Sequence, residues 1–431
     1  MNQIENKQIQ EELMPRKFGQ AGKLWTILLV IVILLGGYFY VQQIQNGLSV
    51  TGLGDYNTWG IYISNFVFFV AISLVGSLIS AILKLSNVKW QVPLTRISEM
   101  IAVAAIAFAA IVIIIDMGRP DRFMNVILKA RIQSPITWDV IVITTYFFIS
   151  IILLYLPLIP DLALMRDQDK GEKPWLKKLY RILALNWRGT ELQGRILKKS
   201  VRILSVLIIP VAFGIHTVTS WLFATTFRPG WDSTNFGPYF VSGAFMVGAG
   251  AVICAMYVFR RQYGYEKYLT DDIFNKMGKL LVLLSLVYLY FNVNEYLAPA
   301  FKMKAHEVGH LNALFTGEFA PMFWSVQVLG MMVPIIVLLF PQGRKPLPMF
   351  IISILVILGA WFKRFLIVVP TLSHPLIPTE KLPQSALHYM PTFAELSITA
   401  ATLAGALLII TVLARIFPVI PVMETIEENY E

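Results

Sequence analysis

The chain has 431 residues, of which 56% are hydrophobic and only 14% charged, and its formal net charge is +10. Soluble domains carry about 25% charged residues, and the mean hydropathy here is +0.65. This composition excludes a soluble enzyme, a disordered scaffold and a secreted disulfide-rich module, and it predicts a protein embedded in lipid.

Ten apolar runs follow one another along the chain, each near the roughly 20 residues that a membrane-spanning helix needs. They lie at 22–42, 59–83, 94–116, 136–160, 200–224, 238–260, 277–298, 320–340, 347–369 and 391–416. The predicted fold class is therefore all-α, a polytopic membrane protein with about ten transmembrane helices. Residues 1–21 and 417–431 are predicted as tails, and the polar start, with no small-residue cleavage site after the first run, argues against a removed signal peptide.

Basic residues are divided unevenly between the two sides of this arrangement. Of the 36 Lys and Arg residues, 26 fall on the side that holds both tails. Because cytoplasmic loops are enriched in Lys and Arg, both termini are predicted to be cytoplasmic in a cell inner (plasma) membrane. We call the opposite side the outer end. The basic excess then requires no nucleic acid as a partner.

The longest predicted cytoplasmic segment, 161–199, contains an amphipathic pattern. Leu176, Leu179 and Leu183 share one helical face, while Lys177 and Arg181 lie off it. This pattern is typical of a helix in the membrane interface, and a solvated loop with chance periodicity is the alternative.

Cysteine and histidine usage limits the metal chemistry. Cys254 is the only cysteine, and His216 is the only one of five histidines in a long apolar run. One thiol excludes a four-thiolate iron–sulfur cluster, a zinc ribbon and a c-type haem site within the chain. A b-type haem usually takes two helix histidines, so we expect no haem, no iron–sulfur cluster and no metal in this chain.

Ionisable side chains inside spans are costly and usually face a bundle interior, so each is a functional candidate. They are Arg96, Glu99, Asp116, Asp139, His216, Glu295, Lys363, Arg364 and Glu395. Helical spacing adds Tyr146 and Ser150 to the face of Asp139, and Tyr288 and Asn292 to the face of Glu295. These polar stripes are typical of a cavity or a proton path.

Structural interpretations stay open for several of these groups. Asp139 and Glu395 each follow a proline by four residues, so either acid could simply stabilise a helix N-terminus. Asp116 ends its span, where the helix dipole disfavours an anion, and Arg119 is its nearest partner in sequence. Arg364 could form a structural ion pair with Glu395 or Glu295, and His216 alone could be an ordinary core histidine.

Short motifs occur in order along the chain, at 95–99, 116–120, 134–139, 157–163, 216–217, 229–240, 275–279, 294–297, 363–370, 389–395 and 417–418. This ordered set resembles the NrfD/PsrC family, the polysulfide reductase-type membrane subunits of quinone-linked redox complexes. The resemblance covers about residues 50–420. Around Trp138-Asp139 and 158–161, the sequence is similar in particular to the ten-helix membrane subunits of alternative complex III.

The resemblance implies two four-helix bundles, here 59–224 and 238–369, flanked by the helices 22–42 and 391–416. It implies a quinone site near the outer end of the first bundle, with Asp139 in quinol chemistry; the alternative complex III subunits have a histidine in place of Asp116. From eight-helix relatives, the start of the first bundle helix, with Tyr56 and Asn57, is implied to bind quinone. The predicted quinone site comprises Tyr56, Asn57, Trp59, Asp116, Arg119, Trp138, Asp139 and His216. The predicted proton-transfer residues are Asp139, Asp116, Tyr146, Glu99, Tyr288, Asn292, Glu295, Arg364 and Glu395.

The expected function is that of a quinone-reactive membrane subunit with menaquinone as bound substrate, and with proton translocation as a further hypothesis. The resemblance implies a ferredoxin-like iron–sulfur partner at the outer face, a molybdopterin or multihaem subunit beyond it, and a homologous sister membrane subunit as a further candidate. A secondary transporter or a purely structural membrane anchor is the alternative, because buried charges and ten helices would serve a transporter as well.

Overall fold

The computed structural model describes residues 3–15, 19–86, 88–167, 174–374 and 388–428. The described residues form α-helices and no strand. In chain order the helices are α1 Gln3–Leu13, α2 Gln20–Asn46, α3 Ile61–Ser73, α4 Val92–Asp116, α5 Met124–Leu128, α6 Pro135–Tyr155, α7 Leu158–Asp167, α8 Pro174–Leu183, α9 Glu191–Ala224, α10 Phe236–Tyr263, α11 Asp271–Lys302, α12 Ala305–Phe315, α13 Ala320–Gln327, α14 Val333–Leu339, α15 Pro346–Leu372, α16 Phe393–Ile416 and α17 Val422–Glu428. The all-α, polytopic prediction is confirmed.

Nine helical stretches in the described part of the chain are long and apolar enough to cross a membrane. They are α2, α4, α6, α9, α10, α11, the α13–α14 unit, α15 and α16. The one predicted span not among them, the second, 59–83, contains the shorter apolar helix α3 and, after it, a π-helical segment, Ser77–Leu83. A second π-helical segment, Val328–Met332, joins α13 to α14.

The predicted span 136–160 is wrong at its C-terminal end. Helix α6 stops at Tyr155, and α7 starts separately at Leu158. Pro157 lies between them, and proline disfavours helical backbone in the residue before it and offers no N–H of its own. The break places Asp161 in α7 rather than beyond the end of a span.

Two flanking helices pack against each other rather than on opposite sides of the molecule. Helix α2 runs along α16, and Gly36 permits the approach, because a Cβ there would lie 2.2 Å from the Cβ of Ala401. The two tails also meet, since α1 contacts α17. Both ends of the described chain therefore lie together.

The helices between them contact one another in two sets. Helices α3, α4, α6 and α9 pack together, and so do α10, α11, α14 and α15. Helix α10 contacts members of both sets, including α3, α4 and α9. The division at 59–224 and 238–369 stays a prediction, because this shared helix joins the two sets in one hydrophobic core.

The amphipathic pattern that runs from Leu176 to Leu183 lies within one helix, α8. Part of its apolar face packs on α7, because Leu176, Tyr180 and Leu183 belong to a hydrophobic cluster with Leu158 and Leu162. A location in the membrane interface stays a prediction.

Candidate functional site

Asp139 is a buried carboxylate bonded to a neighbouring helix. It is the fifth residue of α6 and is 2% exposed. Its Oδ1 accepts a hydrogen bond of 2.6 Å from the hydroxyl of Thr219 on α9. The N-cap of α6 is Ser134, so Asp139 does not cap the helix. The Asp139 carboxylate therefore joins α6 to α9, and its role in quinol chemistry stays a prediction.

His216 lies one turn before Thr219 on the buried face of α9. Its Nδ1 is 3.3 Å from the carbonyl oxygen of Ala212, and its Nε2 is buried without a hydrogen-bond partner among the described residues. An imidazole whose Nδ1 donates to the backbone presents Nε2 as an acceptor. His216 and the Asp139–Thr219 pair therefore offer polar atoms on adjacent turns of one helix face.

An aromatic cluster adjoins these polar atoms. Phe223 follows Thr219 by one helical turn, and its ring lies 5.6 Å from Trp59 and 5.0 Å from Trp231. Trp59 and Trp231 are themselves 5.8 Å apart. Trp59 of the predicted site is thus linked to Asp139 through Phe223 and Thr219, two residues that the sequence analysis did not select.

A cavity lies on the other face of α9. It has a volume of about 720 Å³ and is bounded by α9, α10 and α11, with Phe213, Trp221, Val241, Phe245 and Phe291 in its wall. Trp221 also packs edge-on against Trp138 at 6.2 Å. The cavity therefore begins beside the residue that precedes Asp139, although it lies outside the predicted quinone site.

The predicted partnership of Asp116 with Arg119 is wrong. Arg119 forms a bidentate ion pair with Asp121 at 3.0 Å, and both side chains are exposed. Within the described ranges, Oδ1 of Asp116 is buried and has no hydrogen-bond partner. Arg119 prefers Asp121 because both lie in the outer turn, where water solvates the pair.

The C-terminal end of α4 is held by two residues that the sequence analysis missed. Gln43 on α2 donates a 2.9 Å hydrogen bond to the carbonyl of Ile115, and its Oε1 accepts one of 2.8 Å from Tyr62 on α3. All of these groups are buried. Asp116 is therefore fixed against α2 and α3, whereas Asp139 is fixed against α9.

Glu395 is a helix-capping residue that also fastens the start of α3. It forms a capping box with Thr392, and its second oxygen accepts a hydrogen bond of 2.6 Å from the hydroxyl of Tyr389. The same hydroxyl accepts a 2.9 Å hydrogen bond from the backbone N–H of Ile61. Glu395 thus fits the interpretation as a terminus device. Of the neighbouring predicted residues, Asn57 is buried and Tyr56 is partly exposed.

A chain of buried polar groups connects α10, α11 and α13. Tyr288 donates to the hydroxyl of Tyr239 at 3.1 Å, Tyr239 to Asn292 at 3.0 Å, and Asn292 to Gln327 at 2.8 Å. One helical turn beyond Asn292, toward the outer end, Glu295 accepts a hydrogen bond of 3.0 Å from Ser233. Of the predicted stripe on α11, Tyr288 and Asn292 therefore belong to one cross-helix hydrogen-bonded chain, and Glu295 lies one turn away with partners of its own.

The second cationic side chain on α15, Lys363, belongs to this network. It is 1% exposed, donates to the hydroxyl of Tyr296, and its Nζ lies 4.4 Å from the centre of that ring. The alternative in which Arg364 pairs with Glu295 or Glu395 is wrong, because in the described chain Arg364 donates to the carbonyl of Ala360, while both acids have other donors.

At the inner end, two further predicted groups have partners that are distant in sequence. Glu99 accepts from Ser80, and its Oε2 is buried without a partner in the described part of the chain. Tyr146 donates a hydrogen bond of 2.6 Å to the carbonyl of Ser73. These contacts are local to α3, α4 and α6, and they lie apart from the network on α11.

The sequence was compared with known proteins. The family model of NrfD, polysulphide reductase, matches residues 49–374. This chain belongs to the NrfD family. The match contains every predicted site residue except Glu395, and it spans both sets of packed helices.

Three curated relatives align over most of the NrfD chain. It is 28% identical over 353 residues to a protein described as a dimethyl sulfoxide reductase membrane subunit of Halobacterium salinarum, covering 80% of this chain and 76% of the relative. It is 22% identical to a selenate reductase subunit of Mesobacillus selenatarsenatis, covering 95% and 97%. It is 23% identical to the menaquinone reductase, integral membrane subunit, of Nitratidesulfovibrio vulgaris, covering 92% of each.

Proposed function

We propose that this NrfD-family chain is the quinone-reactive integral membrane subunit of a respiratory oxidoreductase complex, with menaquinone as its substrate. Family membership and a menaquinone reductase subunit among the relatives support the reaction class. The observation that carries the assignment of a site is the buried Asp139, bonded to Thr219 beside an aromatic cluster.

Quinol oxidation releases two electrons and two protons, so the site needs hydrogen-bonding groups and a group that accepts a proton. In this proposal Asp139 accepts a proton from the quinol hydroxyl, and Thr219 orients the carboxylate. His216 Nε2 accepts the hydrogen bond of the second quinol hydroxyl and then its proton, so both released protons have an acceptor. The rings of Trp59 and Phe223 supply the apolar wall that such a ring requires.

The electrons would leave through a ferredoxin-like iron–sulfur subunit docked over the outer loop 117–135, toward a molybdopterin or multihaem subunit. Four large apolar side chains in this loop, outside the spans, are more than half exposed: Met124, Ile127, Leu128 and Ile132. Apolar surface of this kind marks an interaction site. We place the chain in the inner (plasma) membrane with both termini in the cytoplasm, as the distribution of Lys and Arg indicates.

The Asp139→Asn variant tests the site. Asn keeps a hydrogen-bonding oxygen for Thr219 but cannot accept the proton, so we expect quinol-linked turnover to fall at least ~100-fold while the complex still assembles. The measurement is quinol oxidation by the purified complex. Glu318→Gln, which removes an exposed acid outside the loop 117–135, is the matched control and should retain turnover.

Unchanged turnover in Asp139→Asn would refute the assignment of Asp139. Extraction of quinone from the purified wild-type complex distinguishes the alternatives, because neither a secondary transporter nor a structural anchor requires bound quinone. Absence of quinone together with absence of quinol turnover would refute the proposed function as a whole.

We further propose that the network of Tyr239, Tyr288, Asn292, Glu295 and Lys363 conducts protons. The hydroxyl and amide groups of α10, α11 and α13 follow one another at hydrogen-bonding distance, and the ionisable side chains of Glu295 and Lys363 flank them on α11 and α15. Such chains of intramembrane polar groups are characteristic of proton relays.

A further inference from the structure

Three side chains outside the proposed quinone site meet at the outer end of the molecule. Asp232 lies in the loop before α10, and His306 and Glu307 lie in the first turn of α12. One ligand atom from each lies within 4.8 Å of the other two. The cluster therefore combines two carboxylates and one imidazole from two segments that are far apart in sequence.

The carboxylate of Glu307 lacks the partner that its burial requires. The side chain is 7% exposed, and Oε2 has no hydrogen-bond partner among the described residues. Its other oxygen is 4.0 Å from Lys304 Nζ and 4.0 Å from His306 Nε2, the outer limit of an ion pair. A carboxylate oxygen removed from water without a partner is costly, so the site calls for a cation.

The loop that carries Asp232 is held in place on both sides of that residue. Trp231 is buried and donates 2.7 Å to the carbonyl of Ile367, and Ser233 donates to Glu295. Gly230 has φ +78, and a Cβ there would lie 2.6 Å from Nε2 of His310. Only glycine permits this approach, which brings the loop onto α12 one turn from Glu307.

We propose that Asp232, His306 and Glu307 bind a divalent transition-metal ion of the Zn²⁺ type. Imidazole and carboxylate ligands suit Zn²⁺, whereas Ca²⁺ and Mg²⁺ take oxygen ligands. Three protein ligands leave a fourth position for water. The prediction that the chain holds no metal depends on its single cysteine and its single span histidine. Asp232, His306 and Glu307 are loop and helix-terminus residues outside that pattern.

The position of the site gives the ion a structural consequence. Glu307 lines a small cavity together with Glu295, Tyr296 and His310. A bound ion would therefore close the outer end of the cavity that borders the polar network. It would also tie the loop 229–235 to α12.

The test is zinc binding by the full-length chain in the purified complex. After treatment with a chelator, the complex is dialysed against Zn²⁺, and bound metal is measured by mass spectrometry across a concentration series. We expect one saturable site that weakens at least ~10-fold in Asp232→Asn and in His306→Gln. Because His306 is only half-buried, its replacement should leave the fold intact, which thermal unfolding without metal checks.

Glu318→Gln is the matched control, because it removes a carboxylate from another His–Glu pair, His388 and Glu318, 3.2 Å apart. It should leave zinc affinity unchanged. The proposal is overturned if the wild-type complex binds no zinc, if Asp232→Asn and His306→Gln bind it as tightly as the wild type, or if Glu318→Gln loses the same affinity. Quinol turnover is measured separately, so failure here leaves the quinone proposal standing.

Discussion

Arg96 and Asp161 form a buried ion pair that spans α4 and α7. Their side chains are each 1% exposed and lie 2.6 Å apart. Arg96 also donates to the carbonyls of Pro157 and Pro418, and Asp161 accepts from the backbone N–H groups of Val422 and Met423. These additional hydrogen bonds offset the cost of removing both charges from water.

Removing one member of this pair leaves the other charge buried. We expect Asp161→Asn to destabilise the chain by about 3–5 kcal/mol, measured as the free energy of unfolding in detergent. Asp167→Asn is the control, since its pair with Arg166 is largely solvated on the Asp167 side. Equal stability of the two variants would contradict a structural role for the buried pair.

At the scale of elements, the irregular course of the second predicted span depends on a neighbouring helix. Helix α3 ends at Ser73, and the π-helical segment starts at Ser77. The carbonyl of Ser73 accepts a hydrogen bond from the hydroxyl of Tyr146 on α6. In a membrane, backbone groups freed by such a break require a partner, because lipid offers none.

Tyr146→Phe removes that donor and little else. We expect a loss of about 1–3 kcal/mol in the free energy of unfolding, the cost of one unsatisfied buried polar group. Thermal unfolding of the purified chain measures it, with the exposed Tyr38→Phe as the control. If Tyr146→Phe unfolds like the wild type, this hydroxyl does not stabilise the break.

For the whole molecule, the two sets of polar groups lie on different helices joined by α10. Asp139 is bonded to α9, whereas Glu295 on α11 is bonded to Ser233 in the loop before α10 and lies one turn from the chain that joins α10, α11 and α13. We therefore expect the two proposed activities, quinol oxidation at Asp139 and proton conduction near Glu295, to be impaired by different substitutions. The apolar contacts of α10 with both sets supply the physical connection between them.

Glu295→Gln tests this separation in vesicles that contain the whole complex. If the network conducts protons, quinol turnover should persist while the proton yield falls toward about one per electron, the amount that quinol itself releases. Proton release and electron transfer are measured together, with Glu318→Gln as the control. An unchanged ratio in Glu295→Gln would refute conduction through Glu295.

The sequence by itself determined the solvent, the helical fold class and the identity of most buried ionisable side chains in the described ranges. Lipid thickness fixes the length of an apolar run, and lipid satisfies no backbone hydrogen bond, so long apolar runs must be helices. Spacing along one helix also placed Tyr288, Asn292 and Glu295 on one face. Residues such as Gln43 and Thr219, which are ordinary in sequence, gave no comparable signal.

Only the tertiary structure decided which groups are partners. Asp139 and Glu395 have the same spacing from a proline, yet Asp139 is bonded to another helix while Glu395 caps its own. A hydrogen bond requires its atoms within about 3 Å, and one residue turns a side chain by about 100° around a helix. Helical spacing fixes a side chain's own face, and only packing between distant segments brings two faces within that reach.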